Sequence, residues 1–177
     1  MYKNVIRIFL FIILFGGCRP SNPSDTQLKR ELSGIWQDVE VNASAWSNTW
    51  QFFGDGRFIF NHSQMDCAKR ELSYSGHWKA MGPAIQLSIE QRKVLVGGKF
   101  EKALGSCASD LELVDAEERV VDEPVSNNHI VSLGPVEIVR VAYFNYRTGK
   151  TEAQQKLRTI IEGKQYWKFE DDPTKYP

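Results

Sequence analysis

The sequence predicts an all-β protein, an antiparallel up-and-down meander of about eight to ten strands, and three observations carry that prediction. The first is Asn48 to Phe60, which reads as two strands folded about Gly54-Asp55-Gly56. Thr49 and Gln51 alternate with Trp50 and Phe52, and Phe58 and Phe60 resume the alternation past the turn, the period-two pattern of strands with one buried face. The second is a repeat of the same grammar: Leu72, Tyr74, Gly76 and Trp78 interleave with Ser73, Ser75, His77 and Lys79. Met81-Gly82-Pro83 then turns the chain into Ile85, Leu87 and Ile89, interleaved with Gln86, Ser88 and Glu90. The third is the turn chemistry, since an Asp-Gly step supplies the positive φ that tight hairpins need. Consecutive strands with a clean inside and outside argue for a sheet with one wet face rather than a buried parallel sheet.

Taken in order, the chain opens with Lys3 and Arg7 ahead of an apolar run from Ile8 to Phe15, then Gly16-Gly17-Cys18. These are the charged, hydrophobic and small-residue regions of an export signal. The run is too short for a spanning helix, which needs about 20 apolar residues. Leu14-Phe15-Gly16-Gly17-Cys18 resembles the lipobox of bacterial lipoproteins. That resemblance implies a signal peptide over residues 1–17, diacylglyceryl and acyl chains on Cys18, and a place in the cell envelope on a lipid anchor. Arg19 behind the cysteine implies the outer membrane where the organism has one. An ordinary signal peptide or a signal anchor is the alternative. Each buried methylene contributes about 0.8 kcal/mol, so two or three chains hold a protein on the membrane effectively permanently. Residues 18–31 then read as a polar, proline-broken tether spanning roughly 20 Å as a flexible coil.

Removing the signal leaves one domain's worth of chain with a slight acidic excess, because losing Lys3 and Arg7 takes the basic count from 22 to 20 (22 − 2) against 22 acidic residues. No basic stripe offers nucleic acid a surface. Acylation of Cys18 would also resolve the odd count of 3 cysteines, leaving Cys67 and Cys107 to form a disulfide in an oxidising compartment. Two buried free thiols are the competing reading. In a plain meander these two cysteines emerge at opposite ends of the sheet, while a disulfide needs Cα atoms within about 7 Å. An extra chain reversal between Glu90 and Gly98 is therefore expected, with a cysteine inside a strand as the alternative.

Leu28 to Ser33 reads as a short helical turn and Gly34 to Val41 as the first strand. Gly34-Ile35-Trp36, the Trp50-Gln51-Phe52 hairpin and Gly76-His77-Trp78 resemble the small lipocalin-like domains of bacterial lipoproteins. The resemblance implies a closed β-barrel over residues 32–170, with Trp36 closing its bottom under a stacked arginine, for which Arg158 is the candidate. Further strands are expected at Lys99–Leu104, Asp110–Val114, His129–Leu133, Pro135–Tyr146, Gln155–Ile161 and Gln165–Phe169. Asp115 to Asp122 reads as a charged loop or one helical turn, Arg140 as a bulge or a doubly buried stretch, and residues 171–177 as a polar, frayed tail.

The sequence shows no Gly-x-Ser-x-Gly elbow, phosphate loop or His-Glu-x-x-His. His62, His77 and His129 are too scattered to share an ion, and Asp55 belongs to its turn rather than to a calcium loop. Neither catalysis nor a cofactor is expected. Trp50, Phe60, Tyr74 and Trp78 are the candidates for lining a ligand cavity, since a barrel of about eight strands holds either packed side chains or one small ligand. Large inward aromatics are more often core. Trp46 differs, because the small polar loop around it gives no core pattern, so it reads as the rim of a mouth or a partner contact. The function expected is binding of a small hydrophobic ligand or lipid, with a protein-interaction module of the envelope as the alternative.

Overall fold

A computed structural model describes residues 25–40, 46–105, 107–124 and 128–176, so the lipobox, Cys18 and the first half of the tether lie outside the described residues. The chain enters through α1 (Asp25–Leu32) and builds ten strands: β1 (Gly34–Gln37), β2 (Thr49–Phe52), β3 (Arg57–Asn61), β4 (Glu71–Met81), β5 (Ala84–Lys102), β6 (Leu111–Asp122), β7 (Asn128–Ser132), β8 (Glu137–Asn145), β9 (Lys150–Ile161) and β10 (Lys164–Glu170). Among the described residues all strand pairings are antiparallel, in one sheet of order β6-β5-β4-β3-β2-β1-β10-β9-β8, with β7 added to β5.

The sheet does not close into the barrel expected. β7 lies against the start of β5 and reaches β9 only through the isolated bridge Leu133↔Ile161. Strand length is the reason. β4 has 11 residues beside the 19 of β5, and β10 has 7 beside the 12 of β9. The shorter strand cannot pair along the whole of its neighbour. The β5–β6 and β8–β9 hairpins therefore run on beyond the body as two-stranded ribbons.

The extra reversal between Glu90 and Gly98 is absent, because β5 is a single strand through that region. Gly97 and Gly98 do take positive φ of 73° and 68°, facing Asp115 at 57°, but they pass through the ladder between Gly97↔Ala116 and Lys99↔Val114 without turning the chain. One long strand in place of two removes a reversal rather than adding one, so Cys107 leaves the sheet at the same end as Cys67. The two form a disulfide with Cα atoms 5.6 Å apart. Asp115 to Asp122 belongs to β6, not to a loop. A ribbon wet on both faces needs no apolar alternation, and cross-strand pairs such as Lys93–Glu118 at 2.7 Å use its charges. Likewise β8 pairs with β9 in unbroken register through Arg140, with no bulge.

Inside, Trp36, Trp50, Phe52, Phe58, Phe60, Trp78, Ile85 and Leu87 pack as one core with Leu28 and Leu32 of α1. The helix thus claims the end of the span read as tether, and its carbonyl at Leu32 accepts the Trp36 indole N–H at 2.7 Å. The cation over Trp36 is Lys168, 5.6 Å from the ring, whereas Arg158 lies 5.7 Å over Trp167. The stacking expected of Arg158 is therefore made by another residue on another strand. β1 and β2 are buried on both faces rather than one, since Ile35, Gln37, Thr49 and Gln51 are shielded along with Trp36, Trp50 and Phe52. The first strand ends at Gln37, four residues short of the boundary expected. The tail is not frayed through Tyr176: Pro173–Lys175 forms a 3₁₀ turn capped by the Asp172 side chain.

Candidate functional site

Four of the five residues expected to line a cavity do come together, but as packing. Trp50 lies 4.5 Å from Phe60 and 5.9 Å from Tyr74, Phe60 lies 4.9 Å from Tyr74, and Trp78 meets Phe52 edge-on at 5.4 Å. These tilted and edge-to-face contacts are how aromatic quadrupoles fill space. Trp46 stands apart, 68 % exposed on the loop before β2. The recessed surfaces described below touch none of these five. Each histidine faces its own carboxylate, His62 with Glu71, His77 with Glu90 and His129 with Glu162. Among the described residues no three metal-ligating groups converge.

At the disulfide end a chain of charges crosses the sheet. His62 meets Glu71 at 3.0 Å, Glu71 pairs with Arg92, and Arg92 reaches Glu123 at 2.8 Å while lying 5.6 Å over the Tyr74 ring. Register explains the grouping, because Tyr74 and Arg92 are partners across β4 and β5, and Glu71, which begins β4, is partnered with Val94, two residues along β5 from Arg92. Burial holds the His62 imidazole below its ordinary pKa despite the Glu71 hydrogen bond. Burial would raise Glu71, but hydrogen bonds from His62 and Arg92 outweigh it and keep the carboxyl below the usual range. Tyr74 is pushed up by burial. A carboxylate so well neutralised is a poor base. The chemistry available is structural: an ion-pair chain bracing the wall of a recess of about 490 Å³ that Cys67, Lys69 and Tyr176 help to line.

The second recess, about 410 Å³, lies where β9 parts from β10. The two strands pair only through Ile161↔Lys164 to Arg158↔Trp167. Beyond Arg158, β9 continues with β8 while β10 continues with β1. Gln154 to Leu157 forms one wall and Lys168 to Asp171 the other. Gln37 and Trp167, partners in the β1–β10 ladder, form the floor. Val39 and Glu40 lie at the rim, where the Glu40 carbonyl accepts from the Lys156 ammonium. Gln37 is 1 % exposed, and neither its amide nitrogen nor its amide oxygen has a hydrogen-bond partner. Buried amides are nearly always paired, so this orphan marks the floor. Sequence reasoning passed over Gln37 because a glutamine beside a core tryptophan looks like any outward strand residue; only the ladder on both sides buries it.

No family model, curated protein or solved structure matches the chain.

Proposed function

We propose that this chain is an exported, lipid-anchored, non-catalytic module that binds another protein of the cell envelope. Acylated Cys18 would supply the anchor, on the outer membrane where the organism has one, and the sheet would present its outer surfaces to the partner. The observation that carries the reading is the packed interior: Trp36, Trp50, Phe52 and Phe58 are each no more than 2 % exposed and lie within one contiguous core. A carrier of a small hydrophobic ligand needs an apolar cavity, whereas these side chains fill the space such a ligand would take. The recesses lie outside, lined by a mixture of polar and apolar residues on strand edges, as suits a protein contact. Labelling with a radioactive or clickable fatty acid should mark the wild type and spare Cys18→Ala. Photo-cross-linking in intact cells should capture an envelope protein. If instead a small hydrophobic molecule co-purifies stoichiometrically in native mass spectrometry and no protein is captured, the carrier reading replaces this one.

A further inference from the structure

Two observations meet at the recess between β9 and β10. The first concerns backbone. Among the described residues, no strand pairs with β9 from Lys150 to Leu157, or with β10 from Lys168 to Glu170, on the sides that face each other. An unpaired strand edge is a template for another chain. Here two such edges border one cleft. Among the described residues the outer edges of β6 and β8 also lack a strand partner, but each offers a single row of backbone groups, and on β6 the Leu113 N–H is already bonded to the Cys67 carbonyl. Neighbouring strands lie about 4.8 Å apart, so where β9 and β10 have parted to about twice that spacing one added strand pairs on both sides at once.

The second observation is the Gln37 amide, buried on the floor of the same cleft with both its polar atoms unpartnered. A primary amide carries a carbonyl acceptor and N–H donors side by side. One residue of an extended strand presents its own N–H and C=O on the same side, the complementary pair, so an extended backbone can satisfy both ends of the glutamine. The walls suit the side chains of such a segment. Trp167, Leu157 and Phe169 give apolar contact, and Lys156, Glu40 and Asp171 give mixed charge.

We propose that the β9–β10 cleft accepts an extended segment of a partner protein as an inserted strand, with the Gln37 amide pairing to the N–H and C=O of one of its residues. Main-chain pairing supplies affinity in this mode and alternate side chains supply selectivity, so the segment alternates apolar and polar residues. This rests on the protein-binding reading and names the class of contact that reading requires.

The test uses the full chain in detergent, panned against a phage-displayed library of linear heptapeptides. Enriched peptides are synthesised and measured by calorimetry and by hydrogen exchange. The expected peptide slows exchange at residues 154–157 and 168–170. Gln37→Leu should weaken its affinity by about tenfold, the loss of one or two net hydrogen bonds. The same variant should leave the Tm of the free chain unchanged or raised, because an apolar side chain of similar shape replaces an orphaned amide. Failure to enrich any peptide, protection confined to β6 or β8, undiminished binding by Gln37→Leu, or a lower Tm in that variant each overturns the proposal. Cross-links in cells at surfaces away from the cleft would leave the protein-binding reading standing while this one falls.

Discussion

Removing the disulfide should weaken the fold by an amount set by the chain it closes rather than by the contacts around it. Cys67 and Cys107 are 40 residues apart in sequence. Closing a loop of that length takes about 13 cal/mol/K from the unfolded ensemble, or about 4 kcal/mol at room temperature. The folded state should change little when the bond is absent, because the two loops are also joined through backbone. The Ala108 N–H donates to the Met65 carbonyl at 2.6 Å and the Leu113 N–H to the Cys67 carbonyl at 2.9 Å. Paired Cys67→Ser and Cys107→Ser substitutions should thus lower the unfolding free energy by about 4 kcal/mol and the Tm by about 8 to 16 °C. Guanidinium unfolding followed by tryptophan fluorescence measures the first, and an increased slope against denaturant should accompany it as the unfolded chain expands. Hydrogen exchange on the folded variant should still find the Ala108 and Leu113 amides protected. A loss below about 1 kcal/mol, or free exchange at those amides in the folded variant, would refute the division between unfolded-state and folded-state effects.

Acid should destabilise the protein in two stages. His62 has a folded pKa below its ordinary 6.5, so its contribution is complete above that pH and is lost as pH falls through the lower folded value. Glu71, held below its ordinary 4.5, adds a contribution present above that value and lost on further acidification. His62→Gln should flatten the first stage and leave the second; a Tm that rises on acidification from about pH 7 to 5 would contradict the sign. Gly76 sits between β3 and β5, and a Cβ there would lie 2.0 Å from the Ser88 carbonyl oxygen. Gly76→Ala should cost about 3 kcal/mol or more, since a paired backbone cannot give way as a side chain can. Gly105→Ala, with nothing within 4 Å of its added methyl, is the matched control and should shift the Tm little in the same thermal scan.

Local chemistry was legible without coordinates. The Gly54-Asp55-Gly56 reversal is where the period-two pattern placed it, with Gly56 at a φ of 95° and the Phe53 N–H bonded to the Arg57 carbonyl at 2.9 Å. The turns at Gly82, Gly149 and Gly163 also use positive φ, and the aromatic positions Trp50, Phe52, Phe58, Phe60 and Trp78 all face the core. These features depend on a residue and its near neighbours, which the chain writes out directly. Where a strand stops is different, because a backbone remains extended for as long as some partner pairs with it. Gly97-Gly98 has the composition of a turn, yet β6 runs alongside and holds it in the ladder. Lys168 rather than Arg158 covers Trp36 because register across β1 and β10 brings Trp36 and Lys168 opposite each other. The unequal lengths of neighbouring strands, known only after pairing, open the sheet between β9 and β10 and leave Gln37 on the floor of the gap. Sequence alone thus determined which residues turn and which face inward; tertiary pairing decided how far each strand runs and which backbone edges stay open, because pairing joins residues far apart in the chain.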